Sequence, residues 1–218
     1  TVFFEAPPSN VVYEEMLNFI AWFNQDTQAK LPGPIKAGIA HLYFETIHPF
    51  EDGNGRIGRA ISYKTLSQDL GYPCTYSLSQ EILVTKKEYY NQLHQASAFT
   101  MDITAWLEYF IKVLCLAQEK TDKNIQFLIE KREFFKKYEN QLNARQKKLV
   151  KKIFAIGPLN FEGAINARKY ASLNSCSKAT ATRDLIEMLT IGALKKSDAL
   201  GRSTSYALNR KTNDNCAS

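Results

Sequence analysis

The chain has no apolar run approaching the roughly 18 residues that a membrane span requires, so no membrane partner is expected. Its opening Thr-Val-Phe-Phe-Glu carries no basic region of the kind that precedes a secretory leader, and the reading is a cytoplasmic protein. Cysteine is sparse. Cys74, Cys115, Cys176 and Cys216 are scattered, with none of the short spacings of a zinc site, so reduced thiols are expected. The phosphate-binding pattern that ends in Gly-Lys-Ser/Thr is missing, which sets aside an ordinary ATPase loop. What remains is a chain of 218 residues, long enough for a sizeable helical core and a second, smaller domain.

Its most informative stretch is His-Pro-Phe-Glu-Asp-Gly-Asn-Gly-Arg-Ile-Gly-Arg, from His48 to Arg59. Apolar Ile39, Leu42, Tyr43 and Ile47 predict a helix leading into it, and Ile57, Ile61, Leu66 and Leu70 predict one leading out. The run is then a loop feeding a helix N-terminus, whose unpaired N–H groups and positive dipole end attract anions. Gly53 and Gly55 permit positive φ and close approach of a ligand, forming a nest with Asn54. Arg56 and Arg59 add planar forks of donors suited to phosphate oxygens. Asp52 makes sense beside phosphates as a Mg²⁺ ligand, since Mg²⁺ is usually shared between one or two carboxylates and a nucleotide. His48 is of the residue type that can accept a proton from an incoming hydroxyl. An EF-hand fails as the competing reading, because Arg56 occupies its fifth position and Tyr63 the place of its closing Glu.

This run resembles the signature of Fic-domain proteins, and the likeness covers about residues 1–120. The resemblance implies a mainly helical fold and transfer of AMP from Mg-ATP to a Ser, Thr or Tyr hydroxyl of a target protein. It implies His48 as the general base and Asp52 as the Mg²⁺ ligand. Gly53, Asn54 and Gly55 would surround the α- and β-phosphates with Arg56 assisting, and Arg59 would hold the γ-phosphate. Phe50 is implied to be a buried anchor of the loop, and Glu51 a solvated, variable position. Val2, Phe3 and Phe4, ahead of Pro7-Pro8, resemble the end of the flap against which a target segment lies. Ser9 then reads as the N-cap of a helix carrying Val12, Met16, Phe19, Ile20 and Phe23 on one face. Some proteins of this family remove AMP or transfer other phosphate-containing groups, and the signature admits those reactions.

Charge is divided unevenly along the chain. Residues 1–140 hold 14 Lys and Arg against 17 Asp and Glu, whereas residues 141–218 hold 14 against 5. From Asp102 the pattern is long helices, with Trp106, Phe110, Val113 and Leu114 on an apolar face. Residues 121–140, rich in Lys and Glu, read as an exposed and stiff helical connector, since nothing there is Gly- or Ser-rich. Beyond it, Asn143 and Gln146 form a capping pair, and Gly157-Pro158 closes the helix they start. A second helix is expected over about Glu162 to Tyr170, then a Ser172-Leu-Asn-Ser turn. A third starts near Ser177, with Leu185, Ile186 and Leu189 buried and Gly192 at its C-terminal cap. Two short strands around Leu194 and Tyr206 complete the segment.

Residues 141–218 resemble a small α+β winged helix-turn-helix domain, which implies duplex DNA or a docking protein as partner. On that resemblance Lys178, Thr180, Thr182 and Arg183 would meet bases and phosphates, and Lys195, Lys196 and Arg202 would touch the backbone from the wing. A DNA-binding regulator with a nucleotide-sensing Fic domain is the alternative to an enzyme, and an intact His48 and Asp52 favour the enzyme. Fic proteins are often restrained by a helix bearing Ser/Thr-x-x-x-Glu-Gly/Asn. Glu precedes Gly or Asn only at Glu139-Asn140 and Glu162-Gly163, with Phe135 and Pro158 four residues before, so this chain has no such motif. An inhibitory helix is therefore expected either from a further N-terminal portion or from a separate partner; a second copy of the chain is a further candidate partner.

Overall fold

The computed structural model describes residues 7–25, 31–98, 102–157, 165–197 and 204–210. It is mainly helical and divides into two compact units, Thr1–Thr121 and Asp122–Ser218. The flap residues Val2, Phe3 and Phe4, and Arg202 on the expected wing, lie outside the described residues.

The first unit is built around one buried helix. Helix α1 spans Ser9–Asn24, α2 Gly33–Ile47, α3 Asn54–Leu70, α4 Leu78–Val84 and α5 Lys86–Ala98, and α6 runs from Thr104 to Tyr138. Pro34 suits the first turn of α2, where its missing N–H breaks no helical bond. Ala37, Gly38, Ala40, His41, Leu42, Phe44 and Ile47 of α2 are all buried, a pattern that goes most of the way round the helix and makes it central. On one side Ala40, Phe44 and Ile47 pack with Phe19 of α1. On the other, Ala37 and Leu42 join Leu66, Leu78, Ile82, Tyr89, Trp106 and Phe110. The Trp106 indole donates to the Gly38 carbonyl at 2.8 Å, which satisfies its only donor inside the core. Lys120 binds both oxygens of buried Glu81 at 2.7 and 3.0 Å, tying α4 to α6.

Helix α1 departs from expectation at two positions. Pro8, not Ser9, is its N-cap, with no side-chain cap bond, because Ser9 already has helical geometry. Ile20 is exposed, and half-buried Trp22 packs with the cluster instead.

In the second unit the latter part of α6 is not simply exposed. Phe127, Phe134 and Tyr138 are buried against Leu149, Val150 and Phe154. Helix α7 covers Ala144–Ile156 and opens on a complete capping box between Asn143 and Gln146; Gly157, at φ 86°, ends it. Helix α8 covers Ala167–Asn174, later than expected. It starts where the Asn166 side chain accepts from the Lys169 N–H, and the expected turn at 172–175 is reduced to Ser175 in the left-handed region.

Helix α9, Lys178–Thr190, starts beside Ser177 as expected, and the Ser177 side chain caps it by accepting from the Thr180 N–H. Its end is a Schellman arrangement, with Ala193 N–H to Met188 C=O and Gly192 N–H to Leu189 C=O. Ala181, Asp184, Leu185 and Met188 are its buried residues, whereas Ile186 is 50% exposed. Strands β1, Leu194–Lys196, and β2, Tyr206–Leu208, pair antiparallel with Leu194 opposite Leu208.

Candidate functional site

The site lies where α2 ends and α3 begins. His48 is the C-cap of α2 in the left-handed conformation, φ 50° and ψ 55°. A β-carbon there costs energy that the surrounding packing must supply; Phe44, one turn back, and Ile47, the preceding residue, are both buried and fix the helix end that does so. The His48 Nδ1–H donates to the Glu45 carbonyl at 3.3 Å, so in the neutral ring Nε2 carries the lone pair. That is the tautomer a proton acceptor needs.

The loop from Pro49 then turns into α3 through Gly53, whose φ of 90° favours glycine. The Gly53 carbonyl accepts from the N–H groups of Arg56 and Ile57, each at 3.0 Å. The first N–H groups of α3, on Asn54 and Gly55, precede any intrahelical bond and sit at the positive end of the dipole. Gly55 has a second requirement, in that a β-carbon there would come within 3.2 Å of Arg59 Nη1. The guanidinium of Arg59 thus folds back along the first turn of the helix.

Two residues behave differently from expectation. Phe50 is not a buried anchor; it is 48% exposed, with its ring 6.4 Å from that of Phe44. The anchor is Asn54, 3% exposed, whose side-chain oxygen accepts from the Phe50 N–H while its amide donates to the Phe50 carbonyl. The loop is clamped through its backbone, so the ring is not needed to hold it. Asn54 thus has its side-chain oxygen and one amide N–H committed to Phe50, and its backbone N–H is the group it offers at the helix N-terminus.

Arg56 and Asp52 form an exposed pair at 3.0 Å, one helical turn apart. Such pairs contribute little to stability, so either partner can be exchanged for a ligand. Asp52 is 92% exposed and stands apart from any group of three or more His, Cys, Asp or Glu able to hold a metal among the described residues. A single open carboxylate fits Mg²⁺ shared with nucleotide phosphates and does not fit a metal held by protein alone.

Sequence reasoning missed the wall behind His48. A cavity of about 570 Å³ is lined by Glu45, Thr46 and His48 from α2 and by Lys87, Tyr90, Asn91, Leu93, His94 and Ser97 from α5. Its mixed apolar and polar lining is of the kind that receives small molecules. It also missed a buried polar cluster beneath α3. His41 bonds Tyr89 Oη at 2.8 Å and Ser62 Oγ at 3.2 Å, and its Nε2 is 3.9 Å from Glu45 Oε1. Burial pulls the His41 pKa down to about 4, and burial pushes Glu45 up to about 7 against the pull of Arg59. A signal did exist. His41, Glu45 and His48 recur at i, i+4 and i+7 along α2 and its C-cap.

In the second unit, Lys178, Thr182 and Arg183 are exposed together on α9 and border an open groove of about 720 Å³ with Ile186, Glu187 and Thr190. Thr180 does not join them. It is half-buried, with its hydroxyl 3.0 Å from Ser177 Oγ at the helix cap. Lys195 and Lys196 are both exposed, but neighbours on a strand face opposite ways, so one face of the hairpin presents only one of them.

The sequence profile of the Fic/DOC family matches residues 1–66. A protein adenylyltransferase fic-1 of Caenorhabditis elegans is 33% identical over 86 residues, 39% of this chain and 16% of the relative. A protein adenylyltransferase Fic of Aedes aegypti is 39% identical over 83 residues, 38% of this chain and 15% of the relative. The chain thus spans about one sixth of the length of these curated relatives. A crystal structure of a Fic family protein from Desulfovibrio desulfuricans G20 is similar at a TM-score of 0.49 and 22% identity, over 93% of this chain and 56% of that one. A Fic/DOC domain is present in the N-terminal part of the chain.

Proposed function

We propose that the first unit is a protein adenylyltransferase that moves AMP from Mg-ATP to a hydroxyl side chain of a target protein. The observation that carries this reading is the position of His48 on the wall of a nucleotide-sized cavity, one loop away from the glycine-rich N-terminus of α3. The names of the adenylyltransferase relatives support it. In this reading the nucleoside enters the cavity beside Tyr90, and the phosphates lie along the N–H groups of Asn54 and Gly55. Asp52 would hold Mg²⁺, which supplies charge neutralisation at the phosphates. Arg56 and Arg59 engage phosphate oxygens.

His48 Nε2 takes the proton of the attacking hydroxyl as its oxygen bonds the α-phosphorus, and the bond to pyrophosphate breaks. Such a displacement needs positioning and charge stabilisation more than covalent chemistry. Purified protein with ATP and a cell lysate tests it. His48→Ala should lower transfer by roughly 10²–10⁴-fold with ATP affinity little changed. Asp52→Ala should leave turnover nearly insensitive to Mg²⁺. Near-normal transfer by His48→Ala contradicts the role of the base.

For the second unit we propose contact with duplex DNA through α9 and the β1–β2 hairpin. The exposed grouping of Lys178, Thr182 and Arg183 favours this, as does the basic excess of residues 141–218. A mobility shift with the full chain on genomic fragments tests it. Absence of binding at about 50 mM salt would assign the unit to protein docking.

A further inference from the structure

The Oε1 atom of Glu45 is buried and has no hydrogen-bond partner, although its side chain reaches the edge of the cavity that His48 lines. Its place is defined by two glycines of α3. A β-carbon on Gly58 would fall 2.7 Å from this oxygen, so the carboxylate fills space left by the missing side chain. A β-carbon on Gly55 would fall 3.7 Å from the same oxygen and 3.2 Å from Arg59 Nη1. Carboxylate and guanidinium therefore share the space beside the first turn of α3.

Among the described residues, Arg59 is the cation whose charge acts on Glu45. His41, 3.9 Å away, is buried, engaged by Tyr89 and Ser62, and kept neutral by burial. Tyr89 is likewise held in its neutral form. The remaining charged and titratable groups around Glu45 line the cavity: His48 on its own helix, and Lys87, Tyr90 and His94 on α5.

We propose that Glu45 is the positioning residue for Arg59, its carboxylate holding the guanidinium along the first turn of α3 where the terminal phosphate of a nucleoside triphosphate is received. The inference rests on the nucleotide reading above. A long arginine side chain loses considerable rotamer freedom when it is fixed on a ligand. A carboxylate that fixes it beforehand removes part of that loss. The planar fork has five donors, so one edge facing Glu45 leaves others for phosphate oxygens. An unpartnered carboxylate oxygen is also costly to bury, and its attraction to Arg59 is the compensation this arrangement provides.

The test is the affinity of the full chain for Mg-ATP and for Mg-ADP in the wild type, Arg59→Ala, Glu45→Gln and the double variant. Glu45→Gln keeps the shape and removes the charge. It should weaken ATP roughly tenfold, within the range of couplings between neighbouring groups, and leave ADP within about twofold. If Glu45 acts through Arg59, the double variant should match Arg59→Ala alone. Equal weakening of ATP and ADP by Glu45→Gln, or an effect that adds fully to that of Arg59→Ala, overturns the proposal while leaving the nucleotide reading intact. A wild type that binds neither nucleotide overturns both.

Discussion

Glu45 and His41 lie 3.9 Å apart in the interior of the first unit, and burial favours the neutral form of each. For Glu45 the folded pKa of about 7 stands above the ordinary 4.5, so the folded state holds the proton more tightly. The stability this group contributes is full below pH 4.5 and is lost as pH rises through 7. For His41, drawn down from 6.5 to about 4, the contribution is present above pH 6.5 and is lost as pH falls towards 4. Glu45→Gln isolates the first effect. Urea unfolding should find it more stable than wild type at pH 8, by up to about 3 kcal/mol, and nearly equal at pH 5, where Glu45 is protonated. The same difference at both pH values would contradict the assignment of the charge. A residue that costs stability while serving the site is the expected form of a stability–activity compromise. At the same scale, Gly53→Ala must place a β-carbon at φ 90° and should destabilise the loop by about 1–2 kcal/mol.

At the scale of elements, α7, α8 and α9 are joined by a single side chain. Asp184, 1% exposed, accepts from Arg145 Nε at 2.7 Å and Nη2 at 3.0 Å, and from Tyr170 Oη at 2.8 Å. Its backbone carbonyl accepts from Gln146, the same residue that closes the capping box of α7. Arg145 holds the Asp184 carboxyl below its ordinary pKa of 3.8. Its contribution is therefore present above pH 3.8 and is lost as pH falls through the lower folded value. Asp184→Ala leaves Arg145 and Tyr170 without their carboxylate acceptor and should cost about 3 kcal/mol, read as a fall in the unfolding midpoint. A loss under about 0.5 kcal/mol would show that apolar packing alone holds the three helices.

These same elements show what the sequence could and could not tell. The cap at Asn143, the helix start near Ser177, the stop at Gly157 and the helix on either side of the His48–Arg59 loop were legible, because each depends on side chains within a few residues of the backbone they serve. Asp184 was opaque as the centre of a network because Tyr170 lies 14 residues away and Arg145 and Gln146 lie 39 and 38 away. The burial of Phe127 and Phe134 was hidden by the surrounding Lys and Glu. At the site, the contiguous run announced itself. The Asn54 clamp on Phe50 is local, four residues apart, but nothing in the run singles it out, whereas α5 as a cavity wall emerges only when helices distant in sequence meet.

For the molecule as a whole, the basic excess of residues 141–218 bears on the DNA contact proposed above. If residues 141–218 meet DNA, binding by the full chain should fall steeply with salt as counterions return to the phosphates. Arg183→Ala should weaken a preferred sequence selectively, whereas Lys195→Ala should weaken all sequences alike; uniform loss from both would remove base reading from α9. The central claim concerns the first unit, that His48 directs a hydroxyl to the α-phosphorus of ATP. Its most direct test is incubation of the protein and a lysate with ATP labelled at either the α- or the γ-phosphate, in wild type and His48→Ala. The account predicts that acceptor proteins take up the α-label and not the γ-label, and that His48→Ala abolishes this uptake. Uptake of the γ-label, or of the α-label at equal rates in both proteins, would contradict it.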